Sequence, residues 1–137
     1  MKKVAFIAVM MMFMGTMAIA QDTKVEAAEK AADSWLALVD KGDYAASYQQ
    51  AASLFKEHVT QDEWVHLVKP VRAPLGAVVS RQLHNAEFTT SLPGAPDGQY
   101  VVIQYSTSFQ NKKSAVETVV PMLDKDGQWR VSGYTIK

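Results

Sequence analysis

The chain has 137 residues, balanced at 14 basic and 14 acidic side chains, and contains no cysteine. The missing thiols exclude disulfides, thiol catalysis, cysteine-ligated metals and a lipidated N-terminal cysteine. A charge near zero with no Lys/Arg cluster argues against nucleic acid or an anionic membrane as partner.

The first twenty residues read as a secretory signal peptide. Lys2 and Lys3 give a positive start, Val4 to Met14 an apolar run of 11 residues, and Ala18 and Ala20 a cleavage site before Gln21. The run is well short of the ~20 apolar residues that a membrane-spanning helix needs. The expectation is cleavage between Ala20 and Gln21, a periplasmic or secreted location, and no membrane attachment afterwards. Six of the seven methionines would leave with the leader, and the remainder would carry 12 basic and 14 acidic residues, a net charge of −2. Residues 21–137 are then a single α+β domain, long enough for a core of its own.

The first half of that domain has helical period. Thr23 and Glu26 have the spacing of a capping box. Behind them Val25, Ala28, Ala32, Trp35 and Val39 form one apolar stripe, and Gly42 can end the helix in the left-handed conformation. Asp43 suits the N-cap of a second helix whose stripe is Tyr44, Tyr48, Ala51, Ala52 and Phe55. Thr60 and Glu63 open a third, with Trp64, Leu67, Val68 and Val71 at helical spacing. Pro70 should kink or stop that helix.

From Val78 the period changes to two. Val78 to Leu92 reads as a long strand that changes face part-way. Val101, Ile103, Tyr105, Thr107 and Phe109 alternate with polar neighbours and should face inward. After the Asn111-Lys112-Lys113 turn, the apolar parity of Val116, Val120 and Met122 places those residues inward and Glu117 toward water. Arg81 is left open because its strand changes face. In the last strand Trp129 and Val131 share a face, and the shift to Tyr134 and Ile136 across Gly133 predicts a bulge. The turns are too short to hold helices, so consecutive strands should pair antiparallel. The predicted fold is α+β, with three N-terminal helices packed on the concave face of a curved four-stranded antiparallel meander sheet.

Three stretches carry a family resemblance: Gly42-Asp43-Tyr44 opening a helix, Arg72-Ala73-Pro74-Leu75-Gly76 entering a strand, and the ending Asp126-Gly127-Gln128-Trp129-Arg130-Val131-Ser132-Gly133-Tyr134. Over residues 27–137 the chain resembles a family of small exported bacterial proteins catalogued as a domain of unknown function. The ending is also similar to that of the nuclear-transport-factor-2-like, or cystatin-like, cone folds. The resemblance implies a fold and room for a pocket, not an activity.

Motif chemistry is sparse. His58 and His66 are eight residues apart with a predicted helix break between them, not the four-residue spacing of two ligands on one helix face. No metal or other cofactor is expected. No serine sits in a Gly-x-Ser-x-Gly elbow, and the glycines of the 93–98 turn bracket a hairpin, not a phosphate loop. No catalytic residue is assigned. A cone-fold isomerase or dehydratase would need an inward acid or histidine beside a donor; Tyr105 and Thr107 are donors, but no inward acid is evident.

The aromatic set is the strongest remaining signal. Trp35, Tyr48, Phe55, Trp64, Tyr105, Phe109 and Trp129 all read inward. They fill the core, with Trp129 among its largest contributors, or some of them line a cavity at the open end of the cone. The candidate pocket lining is Trp35, Tyr105, Phe109 and Trp129. The leading functional expectation is a non-catalytic exported domain that binds a small apolar molecule or an envelope protein. The alternative is a small cone-fold enzyme of the isomerase or dehydratase kind. Assembly through the outer sheet face is a third reading, but Tyr100, Val102, Ser106 and Ser108 offer little apolar area there.

Overall fold

The computed structural model describes residues 2–137, with side chains described from Ala20 onward. The expected signal peptide, but for Ala20, lies outside the residues whose side chains are described. Helix α1 spans Lys2–Asp40. The chain is helical through Gln21 and Asp22, so Thr23 sits inside a helix and is no N-cap. Among the described residues no helix is long and apolar enough to cross a membrane. The predicted stripe is the buried one: Ala28, Ala32, Trp35 and Val39 are buried, joined by Leu36. The end of α1 is a Schellman turn, with Gly42 at φ 79° and bonds from Asp43 N–H to the Leu38 carbonyl (2.9 Å) and from Gly42 N–H to the Val39 carbonyl (3.0 Å).

The predicted second helix is divided, so four α-helices are formed among the described residues. Helix α2 is Tyr44–Gln49, capped by the Asp43 carboxylate, and α3 is Ser53–His58. Between them Ala52 is extended at φ −65°, ψ 155°. The cause is tertiary. Ala52 donates its N–H to the Val131 carbonyl at 2.8 Å. Ser53 gives both its N–H (3.0 Å) and its hydroxyl (3.1 Å) to the Asp124 carboxylate, which thereby caps α3 from 71 residues away. Helix α4, Gln61–Arg72, starts on the predicted Thr60/Glu63 capping box. It runs two residues past the exposed Pro70 before a 3-10 turn over Ala73–Leu75.

Strands β1 (Val78–Thr89), β2 (Tyr100–Phe109), β3 (Lys112–Leu123) and β4 (Trp129–Ile136) form one open antiparallel meander, in the order β1-β2-β3-β4. Both predicted irregularities occur. The register of β1 slips between Leu83 and Asn85, and that of the β3–β4 pair between Val120 and Pro121, next to Gly133. On β2 the predicted inward residues are the buried ones, and Tyr100 is buried as well.

On β3 the expected parity is wrong. Ala115, Glu117, Val119 and Pro121 are buried, while Val116 is 42% exposed. The β2–β3 turn begins with Phe109 opposite Lys112, a register that would set Tyr105 against Val116. A bulge between Thr107 and Phe109 then sets Tyr105 opposite Glu117 and Thr107 opposite Ala115. Residues directly opposite share a face, so one extra residue exchanges every side chain of β3 between core and solvent.

The helices lie against the inward face, where Trp35, Leu36, Val39, Phe55, Trp64 and Val68 pack on Val101, Ile103, Tyr105, Val119 and Val131. Aromatic edges organise the centre, with ring centroids 4.9 Å apart for Phe55–Trp64 and 5.2 Å for Trp35–Tyr134. The indole N–H groups of both tryptophans end on buried Ser47. Trp35 donates to its carbonyl at 2.8 Å and Trp64 to its hydroxyl at 3.0 Å. Trp129 is only half-buried and packs against the edge of this cluster, so it is not among the most deeply buried core residues, against expectation.

Candidate functional site

The parity change on β3 carries a carboxylate into the protein. Glu117 has no exposed surface, and three donors hold it. Its Oε1 accepts from Arg81 Nε at 2.8 Å and from the Thr107 hydroxyl at 2.6 Å, and its Oε2 accepts from the Tyr134 hydroxyl. Arg81 continues outward to Asp40, giving Nη1 at 2.8 Å and Nη2 at 3.0 Å. Asp40 in turn accepts from Arg72 Nη2 at 2.9 Å. Arg72, 3% exposed, also donates to the Gly76 carbonyl at 2.9 Å and lies 4.4 Å over the Phe109 ring. Its Nε has no hydrogen-bond partner, and the guanidinium as a whole makes a cation–π contact with the ring.

Two carboxylates thus alternate with two guanidiniums. Burial disfavours the charge of Asp40, but the hydrogen bonds from Arg81 and Arg72 outweigh it and hold its carboxyl below the ordinary value. The same balance raises Arg81, whose burial is overcome by Asp40 and Glu117. Burial raises the Tyr134 phenol, and the adjacent Glu117 charge adds to the effect. Glu117 thus faces the Arg81 guanidinium on one side and the Thr107 and Tyr134 hydroxyls on the others.

The apolar clefts lie elsewhere. The larger, about 470 Å³, opens between α3, α4, the β1–β2 loop and β4, lined chiefly by Phe55, Val59, Trp64, Leu67, Leu92 and Tyr134. A second, of about 430 Å³, lies between α1 and the start of β4, with Trp35 and Trp129 on its wall beside Gln50, Gln128 and Arg130. Of the four residues named as pocket lining, the structure brings Trp35 and Trp129 together in this second cleft. Tyr105 is in the core, its hydroxyl donating to Asp33 at 3.2 Å; burial raises its phenol, and the Asp33 charge adds to that. Phe109 is fully buried beneath Arg72. Neither lines a cleft described here.

The residues that sequence reasoning missed are the buried network and the large cleft. Arg72, an ordinary residue at the end of a helix, gives no sign of burial. Glu117 could have been found only by placing the bulge. His58 and His66 each donate Nδ1–H to the carbonyl four residues earlier, at 2.8 and 2.7 Å. Among the described residues no three His, Asp or Glu side chains are grouped as a metal ion would need.

Helices on one face of an open four-stranded antiparallel sheet, with a charge network inside and apolar clefts at the margins, define a small α+β domain. The chain belongs to the family described as "Protein of unknown function (DUF4019)", which matches residues 31–134. No curated protein matches the chain.

Proposed function

We propose that the chain is an exported, non-catalytic binding domain of cone-like build that takes a small apolar molecule or an apolar part of an envelope protein. The observation that carries this is the larger cleft. Its wall is mostly apolar, and it leaves Leu67 60% exposed, a pattern typical of a ligand groove. Export is supported by the charge, apolar run and small residues of the first twenty positions. The test uses anilinonaphthalene sulfonate as an apolar probe. The folded protein should enhance its fluorescence, and Leu67→Asp should weaken binding at least tenfold. No enhancement at native pH would sink the proposal. The intact mass of the exported form should lack residues 1–20, and a mass that retains them would refute export with cleavage.

A catalytic reading has one observation behind it. Glu117 is the inward acid that a cone-fold isomerase or dehydratase would need, and Tyr134 and Thr107 are donors beside it. Against it, the carboxylate lines none of the clefts described and is held by three donors, which leaves no path for a substrate proton. Turnover of an enolisable ketone that is lost in Glu117→Gln would favour the enzyme.

A further inference from the structure

Among the described residues the outer edge of β4 makes one backbone hydrogen bond, at the Val131 carbonyl. In an antiparallel ladder, residues that bond the neighbouring strand alternate with residues whose N–H and C=O point away. Lys137 and Val116 exchange both backbone bonds, at 2.9 and 3.0 Å, and Thr135 and Gly133 face Thr118 and Val120 at the same phase. Tyr134 and Ile136 therefore turn their N–H and C=O outward. Across the bulge Val131 also points outward, and its carbonyl accepts from Ala52. Beyond that bond, among the described residues, nothing pairs with the outward backbone of Tyr134 or Ile136.

Beside this bare stretch a groove of about 350 Å³ lies between β4 and α4, lined by Trp64, Leu67, Val68, Val71, Tyr134 and Ile136 among others. Leu67 and Val71 are 60% and 53% exposed, one helical turn apart on the same face of α4. The groove shares Trp64, Leu67, Tyr134 and Thr135 with the larger cleft, so the two are continuous.

We infer that this groove receives an extended segment of another protein, added to β4 as a fifth strand. The inference rests on reading the cleft as a binding surface and narrows its occupant. The outward peptide groups of Tyr134 and Ile136 call for donors and acceptors at strand spacing, which only an extended backbone supplies. A small apolar molecule would leave them unpaired, and a helix has its own backbone already bonded. A second copy of this chain would bring its own α4 alongside its β4, and the two helices would compete for one space. Alternate side chains of the added strand would meet Leu67 and Val71, and a large apolar one would enter the cleft.

The test uses a panel of capped hexapeptides that alternate Thr with Val, Leu or Phe, each with a twin N-methylated on alternate residues to remove edge-facing N–H groups. Peptides should bind the full chain, slow hydrogen exchange at the Tyr134 and Ile136 amides, and bind at least tenfold more tightly than their twins. Ile136→Pro, which deletes an outward N–H but no bond to β3, should weaken binding about tenfold with little change in melting temperature. Equal binding by the twins would overturn strand addition while leaving an apolar site. Binding by no peptide would overturn the inference too, and the anilinonaphthalene sulfonate result then tells whether the cleft reading fails with it. Protection of the two amides on concentrating the protein alone would assign the edge to a second copy and overturn the peptide assignment.

Discussion

Replacing Glu117 with Gln isolates the charge at the centre of the buried network, because the shape is kept and one acceptor oxygen survives. Arg81 and Thr107 both donate to Oε1, at 2.8 and 2.6 Å, and the amide oxygen can serve them from the same place. What is lost is the negative charge facing Arg81 and the acceptor for Tyr134. Hydrogen bonds to charged groups contribute ~1.5–3 kcal/mol each, and removing one partner of a buried ion pair outright costs ~3–5 kcal/mol. Arg81 keeps its two bonds to Asp40, and Tyr134 can turn to accept from the new amide, so the expected loss is ~2–4 kcal/mol. In urea melts the slope should stay constant, and at a slope of ~2 kcal/mol per molar the midpoint should fall by roughly 1–2 M. A cycle with Arg81→Met should give a coupling above ~1 kcal/mol. A loss below ~1 kcal/mol for Glu117→Gln would refute the view that this carboxylate is committed to holding the domain together.

Trp35, 2% exposed and bonded through its indole to Ser47, should cost ~3–5 kcal/mol when truncated to Ala, and half-buried Trp129 markedly less; equal losses in denaturant melts would contradict the burial assigned here. The folded value of Asp40 is depressed, so its contribution is full above the unfolded value of ~4 and is lost as pH falls through the folded one. Thermal melts between pH 7 and pH 3 should therefore show a decline in acid that Asp40→Asn flattens, and an unchanged slope in the variant would count against the ion pairs. Asp124→Ala should remove the distant cap of α3 and cost ~1–2 kcal/mol, with faster hydrogen exchange at Ser53; unaltered exchange there would show that the cap does not hold the helix start.

Where a single element's own side chains decide its structure, the sequence was legible. The stripe on α1, its glycine stop, the Thr60/Glu63 box and the alternation of β2 all depend on neighbours within a few residues, and all appear where expected. The breaks came from distant partners. Nothing local separates α2 from α3, because the interruption at Ala52 is made by Val131 and Asp124, more than 70 residues on. The β3 face is a subtler case. Val116, Val120 and Met122 outweigh Ala115, Val119 and Pro121 in apolar volume, and Glu117 is charged, so the composition of residues 115–122 favours the wrong parity. The sheet chooses by register with β2, and the register is set by a bulge that no local pattern marks.

That choice gives the charge network a role beyond stability. A slip of one residue on β3 would bury Val116 and Val120, which composition favours, and expel Glu117. Glu117 is met from β1 by Arg81, from β2 by Thr107 and from β4 by Tyr134, and Arg81 leads through Asp40 to α1 and Arg72 of α4. Only one register lets all these groups pair, and the others strand buried charges. The bulge and the carboxylate thus specify the same arrangement, at a desolvation cost that an apolar core would not carry. Stability and uniqueness can therefore be separated. In Arg81→Met combined with Glu117→Leu, the apolar pair should recover most of what Glu117→Gln loses, since replacing a buried ion pair by hydrophobic groups is often neutral or stabilising. Freed from the charge, β3 should populate both registers, visible as doubled amide resonances for residues 113–120 beside single ones for α1. One set of resonances throughout, with nuclear Overhauser contacts still pairing Tyr105 with residue 117, would show that the bulge alone holds the register and that the network adds only binding energy.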